Sequence, residues 1–288
     1  MLRVGDFELS SVVTGRFRLD GGAMFGVVPK VLWEKTCDVD EQNRIFLAMR
    51  TLLAINRNAG RVVLVDTGCG PKWDPQKAAR FAIEPDPTAV VDALHAAGLS
   101  TESVTDVIAT HLHFDHNGGL TQWVDDPGEE TKLCFPNARH WVHRRHWEHA
   151  HHPTVRDRAS FLPEDFSALS GARNVTLVNG EDPTPPFDGV RWVLSHGHTP
   201  YQLHPLFEDE RCSLLFVGDV VPTVAHLRVP WVMAYDLYPL TTIEEKARIY
   251  RQCLDEGLLL AFPHDPAIAG VAIDGQPDRP IVARTLPL

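Results

Sequence analysis

The sequence of 288 residues predicts a mixed α/β fold. Three observations carry that expectation. Short apolar runs bounded by turn residues alternate with stretches of helical spacing. The composition, 44% hydrophobic and 23% charged, is that of a folded protein and excludes disorder as the main state. Candidate chemical residues fall just past the ends of apolar runs, where open α/β sheets place their sites.

Taken in order, residues 50–55 and 61–65 read as two strands joined by Asn56-Arg57-Asn58-Ala59-Gly60, a hairpin turn. Residues 88–97 carry apolar side chains at 90, 91, 94 and 97, which is helical spacing, and Gly98 is the stop signal. Residues 104–109 read as a strand, 145–150 and 243–254 as helices, and 190–194, 213–217 and 258–262 as buried strands. Residues 125–186, polar and rich in Pro, His and Asp, read as connecting structure between two sheet-forming halves, 1–186 and 187–288, of one domain spanning 1–288. The glycine-rich apolar segment 21–33 is a candidate lid or dimer contact, and the aromatic segment 229–238 a candidate pocket wall.

The charge balance excludes several partners. Lys and Arg number 27 against 38 Asp and Glu, a net charge of −11. Such a chain is repelled by phosphate backbones and anionic lipid, so neither nucleic acid nor membrane is an expected partner. No run of about 18 apolar residues is present to span a bilayer. The opening residues lack the basic-then-apolar pattern of an export signal, and the five scattered cysteines fit reduced thiols, so a cytoplasmic location is expected.

The chemistry is concentrated in Thr110-His111-Leu112-His113-Phe114-Asp115-His116-Asn117-Gly118-Gly119. Imidazole nitrogens and carboxylate oxygens are the ligands that borderline metals such as zinc accept. Residues two apart in extended chain point the same way, so His111 and His113 can share one ion. Asp115 and His116, past the bend, can address a second. Two ions require more ligands than these, and three candidates follow apolar runs: His198 in Gly197-His198-Thr199-Pro200, Asp219 after Gly218, and His264 after Pro263. His198 is preferred over His196 because Pro200 fixes the backbone behind it. Residues 140–152 hold six histidines without a completing carboxylate or cysteine shell, and read as a solvated face. Cys69 reads as a buried thiol rather than a ligand.

These residues, with Val65-Asp66-Thr67-Gly68 upstream, resemble the metallo-β-lactamase superfamily of metal-dependent hydrolases, over positions 61 to 264. The resemblance implies a four-layer αβ/βα sandwich with its site at the edge between two sheets. It implies a first metal on His111, His113 and His198, a second on Asp115, His116 and His264, Asp219 bridging both, and Asp66 holding the ligand loop from behind. Two Zn²⁺ ions are expected, with iron or manganese as alternatives. The implied activity is hydrolysis by a metal-bridging hydroxide of an ester-like bond in a small molecule, a lactone such as an acyl-homoserine lactone or a phosphoester. A glyoxalase II-like thioesterase, a mononuclear iron enzyme similar to persulfide dioxygenases and a non-catalytic binding module are the other readings.

The same resemblance implies hydrolysis over oxygen reduction, because the first metal position is His-x-His rather than the His-x-Glu of di-iron flavoprotein relatives. Lactonases of this group carry a tyrosine three residues past the bridging aspartate, where this chain has Pro222, so Tyr235, Tyr238 and His226 are the candidate proton donors. The expected catalytic set is Asp115, Asp219, His226 and Tyr235, with Met24, Phe25, Met233 and Tyr238 against the substrate. Relatives are often dimers, so a homodimer is expected.

Overall fold

Strands apolar on both faces set the architecture. In Arg44–Asn56, Leu52 and Ala54 enter one core while Leu53 and Ile55 enter another. Arg61–Val65 divides in the same way, Val63 and Val65 against Val62 and Leu64. In Ser213–Phe216, Leu214 and Phe216 face the first core and Leu215 a third. Such strands need a cover on each side. The computed structural model, which describes residues 1–125 and 128–288, supplies it as four layers, helix–sheet–sheet–helix. The expected mixed α/β sandwich is therefore the observed one.

The first sheet has eight strands. Leu2–Val4, Phe7–Asp20, Arg44–Asn56 and Arg61–Val65 run antiparallel in turn. Asp106–Ile108, Arg139–His143 and Val175–Val178 follow in parallel, and Glu84–Pro85 pairs on Phe7–Asp20. The second sheet orders Val190–Ser195, Gln202–Glu208, Ser213–Phe216, Leu259–Ala261, Gly270–Gln276 and Arg279–Thr285. The core between the sheets joins Phe7, Leu9, Val65 and Trp141 to Trp192, Phe207 and Phe216. Helix Pro239–Glu256 covers the outer face of the second sheet through Ile249, Tyr250 and Cys253. Helices Ala89–Ala96 and Arg144–His151 cover the first.

Local signals explain the element ends. Pro239 opens its helix, where a missing N–H costs nothing, and Gly257 closes it at φ 73°. The connector expected over 125–186 needs correction: Arg139–His143 and Val175–Val178 within it extend the first sheet (126 and 127 lie outside the described residues). Segment 21–33 folds into two short helices, Gly21–Phe25 and Lys30–Trp33, which bury Met24, Phe25 and Trp33 and leave Val27 and Val31 exposed. All five cysteines are free.

Candidate metal centre

Strand ends from both sheets deliver the site. His111 follows Asp106–Ile108, His198 follows Val190–Ser195, Asp219 follows Ser213–Phe216, and His264 follows Leu259–Ala261. After His113 the chain turns into the short helix Phe114–Asn117, which carries Asp115 and His116. That turn packs tightly on the loop after Arg61–Val65: a Cβ on Gly118 would stand 2.3 Å from the Cys69 carbonyl oxygen, and one on Gly119 2.3 Å from that of Thr67. Only glycine permits the approach.

All seven sequence-predicted ligands are buried, and they converge. His111, His113 and His198 form one group and Asp115, His116 and His264 a second, each with ligand atoms within 4.8 Å of one another. Asp219 stands between the groups. Its Oδ2 is 3.3 Å from His198 Nε2, and its Oδ1 is 3.2 Å from both His116 Nε2 and His264 Nε2. His264 Nε2 also lies 3.5 Å from Asp115 Oδ2.

The protons in this cluster point outward. His116 Nδ1 donates to Asp66 Oδ2 at 2.9 Å, His264 Nδ1 to the Ala48 carbonyl at 2.8 Å and His198 Nδ1 to Asp236 Oδ1 at 2.9 Å. His111 Nδ1 faces Thr110 Oγ1 at 3.0 Å, and that hydroxyl donates to Asp66 Oδ2. The inward Nε2 atoms are therefore lone pairs in the neutral tautomers. Two of them, on His116 and His264, face each other at 2.9 Å. His111 Nε2 and Asp219 Oδ1 are buried with no hydrogen-bond partner. Lone pairs converging on one buried space, with orphaned acceptors among them, are the electronic requirement for a cation. The residues present fit a metal pair.

The proton affinities agree. Burial pushes His111 and His113 well below the usual imidazole range, with neighbouring imidazoles adding to the effect. Burial opposes charge on His116 too, but the Asp219 and Asp115 carboxylates outweigh it and raise that imidazole well above the usual range. His198 is raised likewise, burial being outweighed by Asp219 and Asp236. Burial acts upward on Asp219, yet His116, His264 and His198 hold it well below the carboxylate range. The buried carboxylates draw positive charge into the site, which protons supply where metal does not.

Asp66 lies behind the ligand loop. At φ 56°, it accepts from Thr110 N, Thr110 Oγ1, His116 Nδ1 and Asn117 Nδ2 at 2.8 to 2.9 Å. Supports that sequence reasoning missed include Asp236, which orients His198 and accepts from Met233 N at 3.2 Å. Glu245 accepts from the backbone N–H groups of His196 and Gly197 at 2.6 and 3.2 Å, fixing the loop before His198. His146 is fully buried: its Nε2 accepts from Leu112 N at 2.8 Å and its Nδ1 donates to the Pro200 carbonyl at 2.9 Å. It ties the loop of His111 and His113 to the loop of His198. The expectation of a solvated face over 140–152 is corrected accordingly, because His140, His143 and His146 are all buried in the sheet-and-helix layer. No second metal-ligand group occurs there among the described residues. Burial pushes the Cys69 thiol up to about 12, and it joins no ligand group.

A cavity of about 160 Å³ opens over the cluster, touching His113, Asp115, His198, Asp219 and His264. Met24, Met233 and Tyr235 line it; Phe25, Tyr238 and His226 do not. His226 is buried with both nitrogens committed, Nε2 to the Met24 carbonyl and Nδ1 to Thr223 Oγ1, each at 2.8 Å. It stacks on Phe25 at 4.6 Å, so the pair supports the wall from outside the cavity. Tyr238 is exposed at the start of helix Pro239–Glu256. A larger groove of about 700 Å³, beside Phe25, Lys35 and Ile281, touches none of the seven ligands and is not the site. Among the described residues no helix is long and apolar enough to cross a membrane.

A family model described as the metallo-beta-lactamase superfamily matches residues 51–270. The chain is similar to a probable metal-dependent hydrolase from Staphylococcus aureus, with 27% identity and a TM-score of 0.86, over 99% of this chain and 100% of that one. It is similar at 18% identity and TM-score 0.77 to AidC, a dizinc quorum-quenching lactonase, over 99% of this chain and 97% of that one. The hydrolase AbOPH matches at 18% identity and TM-score 0.75, over 98% of this chain and 95% of that one. The last two likenesses are of fold.

Proposed function

The chain belongs to the metallo-beta-lactamase superfamily and is a metal-dependent hydrolase, and on that premise we propose that it holds two zinc ions and cleaves an ester-like bond, a small lactone or phosphoester. One observation carries the reading: Asp219 directs its two carboxylate oxygens at two separate imidazole groups. His111, His113 and His198 would hold the first ion, Asp115, His116 and His264 the second, and Asp219 would bridge them. A full set of seven ligands is what a pair requires and is more than one iron takes. Zinc bound there supplies Lewis acidity and makes hydroxide available from water at neutral pH. That a relative in fold is a dizinc lactonase supports the same metal and bond.

The chain's own groups do the rest. The outward hydrogen bonds that His116, His198 and His264 donate to Asp66, Asp236 and the Ala48 carbonyl lock those three rings in the ligating tautomer before substrate arrives. Leu19, Met24, Phe114 and Met233 give the cavity apolar walls that exclude bulk water and sharpen the electrostatics within. Burial, with Asp115 adding to it, pushes the Tyr235 phenol up to about 12. It therefore keeps its proton at neutral pH, and from the cavity wall it would donate that proton to the departing alkoxide. This fills the role left open by Pro222. The test is turnover of lactones, aryl esters and phosphotriesters by zinc-replete protein. Hydrolysis of at least one class, lost on chelation and restored by zinc, is expected; no turnover of any class would overturn the reading.

A further inference from the structure

We propose that Arg156 is a specificity residue that recognises an anionic group on the substrate, so that the preferred substrates are esters or lactones carrying a carboxylate remote from the scissile bond. The inference rests on the hydrolase reading above and narrows it.

The observations concern the mouth of the cavity. Arg156 is the one lysine or arginine among the described residues that line it. A space of about 160 Å³ is small beside the roughly 300–1,000 Å³ of ordinary ligand pockets. It accommodates the reacting group, and the remainder of a substrate must leave through the mouth. Arg156 stands there, exposed, in the loop after helix Arg144–His151.

Its guanidinium is uncommitted to any carboxylate of the described residues. Among the described residues it makes no ion pair, in a chain of net charge −11. The acidic neighbour Asp157 is already engaged, accepting from Thr154 Oγ1 and facing His149 Nε2, each at 2.6 Å. The loop itself is held, because Arg156 N donates to Thr154 Oγ1 at 3.2 Å. Arg156 Nη2 donates to the Ala234 carbonyl on the opposite wall, next to Tyr235. That contact aims the side chain across the mouth and uses one donor of the five in a guanidinium. The remaining donors form the fork that binds a carboxylate through two parallel hydrogen bonds. Of the other polar groups that line the cavity beside Arg156, the Ser160 hydroxyl and the Tyr235 phenol are neutral donors that complement an anion, and the Asp157 carboxylate is turned to Thr154 and His149.

The experiment compares 4-nitrophenyl pentanoate with the mono-4-nitrophenyl ester of glutaric acid, which puts a carboxylate where the first has a methyl. Zinc-replete wild type is expected to prefer the glutarate ester, with the preference shrinking between 50 and 500 mM salt, as an exposed charge pair requires. Arg156→Gln should lower kcat/KM for the glutarate ester by about 10- to 100-fold, mainly through KM, and leave the pentanoate ester within about twofold. Arg156→Lys should fall between. Equal losses on both esters would show that Arg156 only tethers the loops, and would overturn the proposal, as would a wild-type preference for pentanoate. If neither ester is turned over, ester hydrolysis itself fails. Arg156 is then judged by calorimetric binding of glutaranilic acid, the corresponding amide. Affinity at least tenfold weaker in Arg156→Gln supports the proposal, and unchanged affinity overturns it.

Discussion

Replacing His146 by Ala tests whether two ligand loops are registered by one neutral imidazole. The substitution strands the Leu112 N–H and the Pro200 carbonyl, both of which lose their partner on His146. Leaving a buried polar group unpaired costs about 1–3 kcal/mol. The two together imply about 2–6 kcal/mol, and the void beside His111 and Phe161 acts in the same direction. Leu112 separates two ligands and Pro200 follows a third by two residues, so the loops lose register as well as stability. Support residues of this kind change metal affinity by about 10–100-fold. Urea unfolding of the zinc-loaded protein and zinc competition against a chromophoric chelator read the two effects separately. His146→Gln keeps an acceptor near the Nε2 position and should recover part of both. A His146→Ala protein that unfolds within about 0.5 kcal/mol of wild type and binds zinc equally well would refute the reasoning.

Asp236→Asn leaves a side chain of the same shape but no carboxylate for His198 Nδ1. Zinc affinity should drop by about tenfold or more, with the overall fold retained by circular dichroism. Tyr235→Phe should lower kcat by about 10²-fold with little change in zinc content, the effect being largest for poor leaving groups. Burial pushes the Lys246 ammonium down to about 7, with Asp236 opposing it. An unfolded lysine keeps its proton to about 10.4, so between those values the unfolded chain binds more protons and stability rises with pH. The slope should reach about 1.4 kcal/mol per pH unit above pH 7 and flatten in Lys246→Met, as denaturation at a series of pH values would read.

The metal ligands were legible because their chemistry is local to each strand end: His-x-His-x-Asp-His, Gly-His-Thr-Pro, Gly-Asp and Pro-His each stand behind an apolar run. Their supports were not. His146 meets Leu112 and Pro200 across 34 and 54 residues of sequence, a proximity that no local pattern encodes. Asp236 lies 38 residues from His198. His226 reads as a candidate donor in place of the tyrosine that Pro222 replaces, and only the fold shows both its nitrogens occupied. Some strands were hidden for physical reasons. Phe7–Asp20 changes register between Val13 and Gly15, which breaks its alternation. Gln202–Glu208 contains Pro205, a residue that argues against a central strand; it lies beyond the stretch paired with Ser213–Phe216, where no ladder bond is lost on that side. Arg279–Thr285 is largely exposed and carries no buried face to read.

Anomalous diffraction at the zinc edge from zinc-grown crystals tests the central claim most directly. Two peaks per chain are predicted, one within His111, His113 and His198 and the other within Asp115, His116 and His264, with Asp219 reaching both. A single peak, or none among these residues in protein that retains its fold, would contradict it.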